Sequence, residues 1–276
     1  MKRTIRRRHK IKLKKQIYKK PIFWLGIFLF ILICAGVYFF LNSNALQVSK
    51  IIISGNEKTQ AKDIENLISE KIKQKFLFFT FQNIFLVSPS KITRAILEQY
   101  PNIGSAQIKR KFFDTLLVNV KERQPFAVFC GFEKATQDNC FFIDETGVAF
   151  EKLSGPASNY DFLIVRSAFA MATADRHFED LLGREVINKD IAAKIDKIEK
   201  TLGDNFQIGV EEADIVSEER MNIKTGDGWD IYFNPALDME LQTTKLKLIL
   251  EKEISSADRK TLQYIDLRFE DRGYYK

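Results

Sequence analysis

The sequence predicts an α+β chain in three parts: an N-terminal transmembrane helix, a small β-α-α-β-β domain, and a larger domain with helices packed on a mostly antiparallel sheet. Three observations carry this. Residues 22–41 contain no charge and no strong helix breaker. Residues 48–122 switch between strand-like and helix-like apolar spacing. Residues 126–276 consist largely of short apolar runs separated by turn signals, with two long amphipathic stretches among them.

The apolar run comes first. Twenty residues at about 1.5 Å each make roughly 30 Å of helix, the thickness of a bilayer's hydrocarbon core. Before it, residues 1–20 hold eleven Lys or Arg and no Asp or Glu. A basic flank of this kind stays in the cytoplasm. The expected topology is therefore single-pass type II in the cell (inner) membrane, with everything after Leu41 outside. A cleaved signal peptide is the bland alternative, and Ser43-Asn44-Ala45 is a passable cleavage site. Signal-peptide apolar regions usually run about 7–15 residues, and this one is longer and unusually aromatic. A second alternative takes the basic tail as a nucleic-acid arm. Beside a membrane, fixing topology and touching anionic headgroups is the simpler role.

The net charge of +7 belongs to that tail. It holds 11 of the 43 basic residues, which leaves 32 against 36 acidic ones outside. The outer part is mildly acidic, so nucleic acid is not an expected partner. About 235 residues follow the span, enough for one large or two small domains. The expected division is a tail 1–21, the span 22–41, a linker 42–47, and domains over 48–122 and 123–276.

In the first domain, Val48–Ser54 is strand-like, with Ile51 and Ile53 as core, and Gly55-Asn56 marks a turn. Thr59 can cap a helix whose apolar face is Ile64, Leu67, Ile68 and Ile72. The stretch Phe76–Val87 is rich in phenylalanine and reads either as core under a connecting segment or as an exposed contact patch. Ser88-Pro89 starts a second helix that stops before Pro101, and strands follow at Ile103–Lys109 and Thr115–Glu122.

Beyond residue 126, strands are expected at Phe126–Cys130, Cys140–Asp144, Val148–Glu151 and Phe162–Arg166, with a short helix inside Ser167–Arg184. Asn188 caps a helix bearing Ile191, Ile195, Ile198 and Leu202. Further strands fall at Phe206–Val210, Ile215–Val216, Met221–Lys224 and Trp229–Asn234, the last two joined through Thr225-Gly226-Asp227-Gly228. Asp238 caps a long helix through Ile254, Gln263–Arg268 is a strand, and Gly273–Lys276 can extend the sheet. Cys130 and Cys140 lie outside the membrane at the base of one hairpin, where they form either a disulfide or two free thiols. Cys34, within the span, reads as a small apolar filler.

The order of these elements resembles the bacterial cell-division family FtsQ, called DivIB in some lineages. Val48-Ser49-Lys50-Ile51-Ile52-Ile53-Ser54-Gly55-Asn56 resembles the opening of that family's POTRA domain. Ile92 to Pro101 followed by Ile103, Ala106 and Ile108 resembles its second helix and second strand. Glu122-Arg123-Gln124-Pro125-Phe126-Ala127 resembles a Glu-Arg-x-Pro-x-Ala strand end. Asp144-Glu145-Thr146-Gly147-Val148-Ala149-Phe150 resembles an Asp-x-x-Gly-x-x-Phe hairpin, and Tyr264-Ile265-Asp266-Leu267-Arg268 a closing strand. The resemblance implies a POTRA domain over 48–122, an FtsQ-type β domain over 123–276, and a non-catalytic divisome scaffold at the division septum.

The residues themselves offer no positive case for an enzyme. There are two histidines, His9 and His177, and no phosphate-loop, zinc-protease or serine-elbow motif. Asp144-Glu145 and Glu211-Glu212 read as solvated turns and edges. No catalytic residue, metal, cofactor or small-molecule substrate is expected, and a wall-acting enzyme ranks behind a POTRA-type chaperone or secretion component as an alternative. Presentation of a strand edge is the physical alternative to catalysis. The last strand region, Arg268–Lys276, has three aromatics and both charge signs. It reads equally as an acceptor for a partner's strand or as an edge protected by charge. The resemblance favours the acceptor, implying FtsB/DivIC-like and FtsL-like single-span partners and contact residues Phe269, Asp271, Tyr274 and Tyr275.

Overall fold

The computed structural model describes residues 21–41, 43, 46–76, 79–111, 113–131, 139–168 and 181–276. The basic tail and the short helix expected within 167–184 fall outside them, the latter across 169–180. The chain forms two compact units: the described residues of Met1–Ile52 with Glu70–Ser88 and Lys109–Leu117, and Ile53–Ser69 with Pro89–Ile108 and Val118–Lys276.

Helix α1, Pro21–Leu41, is long and apolar enough to cross a membrane. Nearly every apolar side chain on it is exposed to its surroundings, from Ile22 at 72% to Phe39 at 80%. Strand β1, Lys50–Ser54, follows, then α2, Ala61–Lys71, which buries Ile64 and Ile68. Ile51 and Ile53 are half-buried rather than core.

The aromatic stretch holds a short hairpin, β2 at Gln74–Phe76 and β3 at Phe79–Phe81. Downstream of it, Ile84 and Val87 are buried, whereas Phe85 and Leu86 are 46% and 38% exposed. This part of the stretch is therefore divided between the two readings offered for it. Helix α3, Pro89–Gln99, starts at the expected proline and buries Ile92 and Ile96. Strands β4, Ile103–Lys111, and β5, Thr115–Glu122, complete the three-stranded sheet β1-β5-β4.

The second sheet contains nine strands: β6 Ala127–Cys130, β7 Cys140–Ile143, β8 Ala149–Lys152, β9 Ile164–Ser167, β10 Val210–Ser217, β11 Arg220–Thr225, β12 Asp230–Phe233, β13 Tyr264–Asp266 and β14 Tyr274–Tyr275. Their spatial order is β14-β13-β12-β11-β10-β9-β6-β7-β8. The pairs β9·β10, β6·β9 and β12·β13 are parallel and the rest antiparallel. Parallel neighbours need long crossovers. Two of the three crossovers are α4, Lys189–Phe206, between β9 and β10, and α5, Met239–Leu248, between β12 and β13.

Both helices have the caps expected of them. Asn188 accepts from the Asp190 amide at 2.7 Å and Asp238 from the Glu240 amide at 2.8 Å. A strand at Phe206–Val210 does not form. The apolar period Ile195, Ile198, Leu202 carries α4 on to Phe206, where Gln207 turns left-handed at φ 57°. The Gln207 and Ile208 amides then return to Gly203 and Leu202, closing the helix as a Schellman-type end.

One continuous core lies under α4 and α5. It includes Phe129, Phe141, Trp229 and Phe233, all fully buried. A second, smaller core sits on the opposite face of β6–β9, formed by Val128, Cys130, Cys140 and Leu153 with Phe142 and Tyr160. The structure joins Cys130 to Cys140 by a disulfide inside that second core, directly across the β6·β7 ladder. Closing so short a loop stabilises by about 2–3 kcal/mol on the chain-entropy estimate. Replacing both cysteines with serine is expected to lower the urea-unfolding free energy by that amount. Thiol labelling of the unfolded, unreduced wild type should then find only Cys34.

Candidate functional site

The four expected contact residues lie at one end of the nine-stranded sheet. Strand β14 is an outermost strand, paired antiparallel with β13 in the register Ile265↔Tyr275 and Asp266↔Tyr274. Lys276 and Tyr264 exchange both main-chain bonds, at 3.2 and 3.3 Å. Antiparallel pairing alternates, so the neighbouring residue, Tyr275, aims its own N–H and C=O away from β13 and toward the open edge. Its side chain shares a face with Ile265, on the helix-covered side. Tyr274 stands with Asp266 on the opposite face.

The turn before β14 is held from several sides. The Lys245 ammonium on α5 donates to the Phe269 carbonyl, and to those of Leu267 and Glu270 at 3.4 Å. Partial burial lowers the pKa of Lys245, since desolvation disfavours its charge. Gly273 sits where a Cβ would press on the Ile249 Cδ1 at 2.8 Å, so a glycine allows the turn to lie close to the core. Phe269 meets Tyr274 edge to face with ring centroids 5.3 Å apart. Both rings and Tyr275 remain 45–48% exposed. Asp271 is engaged by Arg272 at 2.5 Å, and that bond holds its carboxyl below the usual value. The two form a solvent-exposed pair of opposite charge beside the aromatics.

The sheet face next to this edge continues the same chemistry. Tyr232 on β12 stacks on Tyr264 on β13 at 5.6 Å, and the guanidiniums of Arg220 and Arg268 lie 5.4 and 5.6 Å from the Tyr232 ring. Arg268 also clasps Asp266 through Nε and Nη2, at 2.9 and 2.6 Å. Burial opposes ionisation of Asp266, but these bonds outweigh it and lower its pKa. None of these partners was evident in the sequence, because each pair joins different strands or depends on which face a strand presents.

The structure also brings together two motifs that the sequence shows only as separate strings. Glu122 accepts from the Lys58 and Thr59 amides at 2.9 and 2.8 Å. The next residue, Arg123, donates through Nε to the Pro101 carbonyl at 3.1 Å and through Nη1 to Asp144. Asp144 in turn accepts from the Thr146 amide and hydroxyl at 2.9 and 2.6 Å and from the Val148 amide at 3.1 Å. Asp144 is therefore not the solvated turn residue expected; it is 7% exposed and fully engaged. Gly147 closes this turn at φ 78°, and a side chain there would collide with the Ile187 carbonyl. Glu211 and Glu212 each face their own cation, Lys224 at 3.7 Å and Arg166 at 2.8 Å.

These bonds predict an acid response. Burial raises the carboxyl pKa of Glu122 and Asp144, but their donors more than offset it, so both titrate below their ordinary values. Asp266 behaves alike. A depressed folded-state pKa gives stability that is complete above the unfolded value, about 4. It is lost as pH falls through the folded value. The urea midpoint is therefore expected to hold steady from pH 7 to 5 and to fall below pH 4. In Asp144→Asn the midpoint should be lower at neutral pH and the fall shallower.

Residues 46–123 match the family described as POTRA domain, FtsQ-type. A comparison with curated proteins gives no match. An FtsQ-type POTRA domain at 46–123, preceded by one helix long and apolar enough to span a membrane, supports an FtsQ/DivIB-like, division-related envelope protein.

Proposed function

We propose that this protein is a non-catalytic scaffold of the divisome. It joins early division components in the cytoplasm to septal peptidoglycan synthesis outside. Residues 1–21 lie in the cytoplasm, 22–41 cross the membrane as a type II span, 42–47 link, and the POTRA domain (48–122) and β domain (123–276) stand outside at the septum. FtsB/DivIC-like and FtsL-like single-span proteins dock on the β domain, one of them adding a strand along β14 and covering Phe269, Asp271, Tyr274 and Tyr275.

The carrying observation is the outer edge of β14. Tyr275 turns a main-chain donor and acceptor to the open side, with three half-exposed aromatic rings around it. Main-chain bonds along such an edge give affinity, and side-chain pockets give specificity. A fluorescent fusion should concentrate at midcell, and affinity capture from solubilised membranes should recover small single-span coiled-coil proteins. A uniform envelope signal together with capture of outer-membrane clients would overturn this reading in favour of a secretion role.

A further inference from the structure

We propose that the first unit carries its own membrane-contact surface, in which Phe85, Leu86 and Phe113 enter the headgroup layer beside the outer end of α1 and the neighbouring lysines and Arg110 meet anionic lipid. The occupant is the bilayer itself, and no partner chain is required. This goes beyond the scaffold reading and rests only on α1 as a span.

The depth of Phe85 follows from its attachment to α1. Its ring lies 5.8 Å from that of Phe40, the penultimate residue of the helix. Asn83 fixes this arrangement. It is fully buried, its side-chain amide donates to the Phe40 carbonyl at 3.2 Å, and its oxygen accepts from the Phe85 amide at 3.0 Å. One side chain thus caps a terminal carbonyl of the helix and shapes the loop that carries Phe85. Two more bonds tie the same loop to the chain leaving α1: Ile84 amide to Leu46 carbonyl at 2.9 Å, and Val48 amide to Gln82 carbonyl at 3.0 Å. If α1 spans, its Trp24 and Tyr38 mark the two aromatic belts, and Phe40 with Phe85 lies at the outer one.

The loop's side chains then divide by environment. Ile84 and Val87 point into the protein, 3% and 2% exposed, while Phe85 and Leu86 point out. Phe113, on the turn between β4 and β5, is 60% exposed, more than any other phenylalanine outside α1 among the described residues. Large apolar side chains this exposed are unfavourable in water. In an interfacial layer they are at home.

Charge supports the same occupant. Arg110 donates to the Val87 carbonyl at 2.6 Å, which sets its guanidinium against the same loop. Lys50, Lys109 and Lys111 are exposed in the same unit. The nearby acid, Asp114, is engaged by Ser49, whose hydroxyl and amide both bond to it. These basic residues contrast with the net acidic outer sequence as a whole. They suit an anionic lipid surface.

The test uses the full-length protein in nanodiscs, in a Cys34→Ala background so that a single new cysteine takes a nitroxide. Labels at Phe85→Cys, Leu86→Cys and Phe113→Cys are compared with Ile33→Cys, inside α1, and Leu241→Cys, exposed on α5. Collision with oxygen and with a water-soluble nickel chelate is measured by power-saturation EPR. The expected result is severalfold less nickel contact at 85, 86 and 113 than at 241, falling further when phosphatidylglycerol is added to phosphatidylcholine discs. Nickel contact at these sites equal to that at 241, with position 33 still lipid-embedded, would overturn the proposal. So would protection that appears only when a partner protein is added. An aqueous position 33 would instead refute the span.

Discussion

Tyr274→Lys combined with Phe269→Glu is expected to weaken capture of the partner strand by at least about 30-fold, leaving the far-UV circular dichroism and urea midpoint unchanged. The argument starts from packing. Phe269 and Tyr274 meet edge to face and hold one another in place, yet each is nearly half exposed, so neither contributes much to the core. Aromatics of this kind, rigid and only partly covered, are the usual hot spots of an interface, and truncating one costs about 2 kcal/mol or more. That corresponds to roughly a 30-fold change in affinity. A charge introduced on the strand opposes pairing further. Tyr275→Pro separates strand addition from simple side-chain contact. The Tyr275 N–H points to the open edge and serves no bond to β13, so proline there removes only the donor offered to a partner. Binding should fall severalfold with the fold retained. Unchanged capture by both variants would mean that the partner docks elsewhere.

The aromatic edge and the disulfide-bonded hairpin show what can be read from a sequence and what cannot. Local signals translated directly. Ser88-Pro89 started α3, Asn188 and Asp238 capped α4 and α5, and the strand at Thr115–Glu122 has the same bounds in the structure. Each depends on neighbours within a few residues. Phe206–Val210 failed because β-favouring residues there also complete the 3.6-residue period of α4, and the helix won by burying its stripe. The order of the nine strands was not legible at all. β9 lies between β6 and β10 in parallel, a choice made by crossovers rather than by any residue in the strands. The second small core around Cys130 and Cys140 follows from that order, since it buries the opposite face of β6–β9. Among the contact residues, the aromatic content of the last strand was visible. The anchoring of its turn by Lys245, some 24 residues earlier, was not.

The family-like strings Glu-Arg-x-Pro and Asp-x-x-Gly have a physical explanation in the Arg123–Asp144 pair, which is expected to carry the largest single stability effect in the outer region. The two side chains are 17% and 10% exposed. Arg123 spans from the Pro101 carbonyl to Asp144, so one guanidinium ties the end of β5, the turn after α3 and the turn between β7 and β8. Removing one member of so buried a pair leaves the other charged and unpaired, a loss of about 3–5 kcal/mol. Asp144→Ala should fall in that range, because it also strips the Thr146 and Val148 amides of their acceptor. Arg123→Ala should cost less, about 2 kcal/mol, since Asp144 keeps its three local donors. Arg123→Lys should rescue little, because a point charge cannot reach Pro101 and Asp144 together as a planar fork does. The double variant should be less damaging than the sum of the two, with a coupling of about 1.5–3 kcal/mol. Urea unfolding measures the cycle, and amide exchange locates it: in Asp144→Ala the Thr146 and Val148 amides should lose protection first. Strict additivity, with protection unchanged at those two amides, would show that the pair does not hold the turns together.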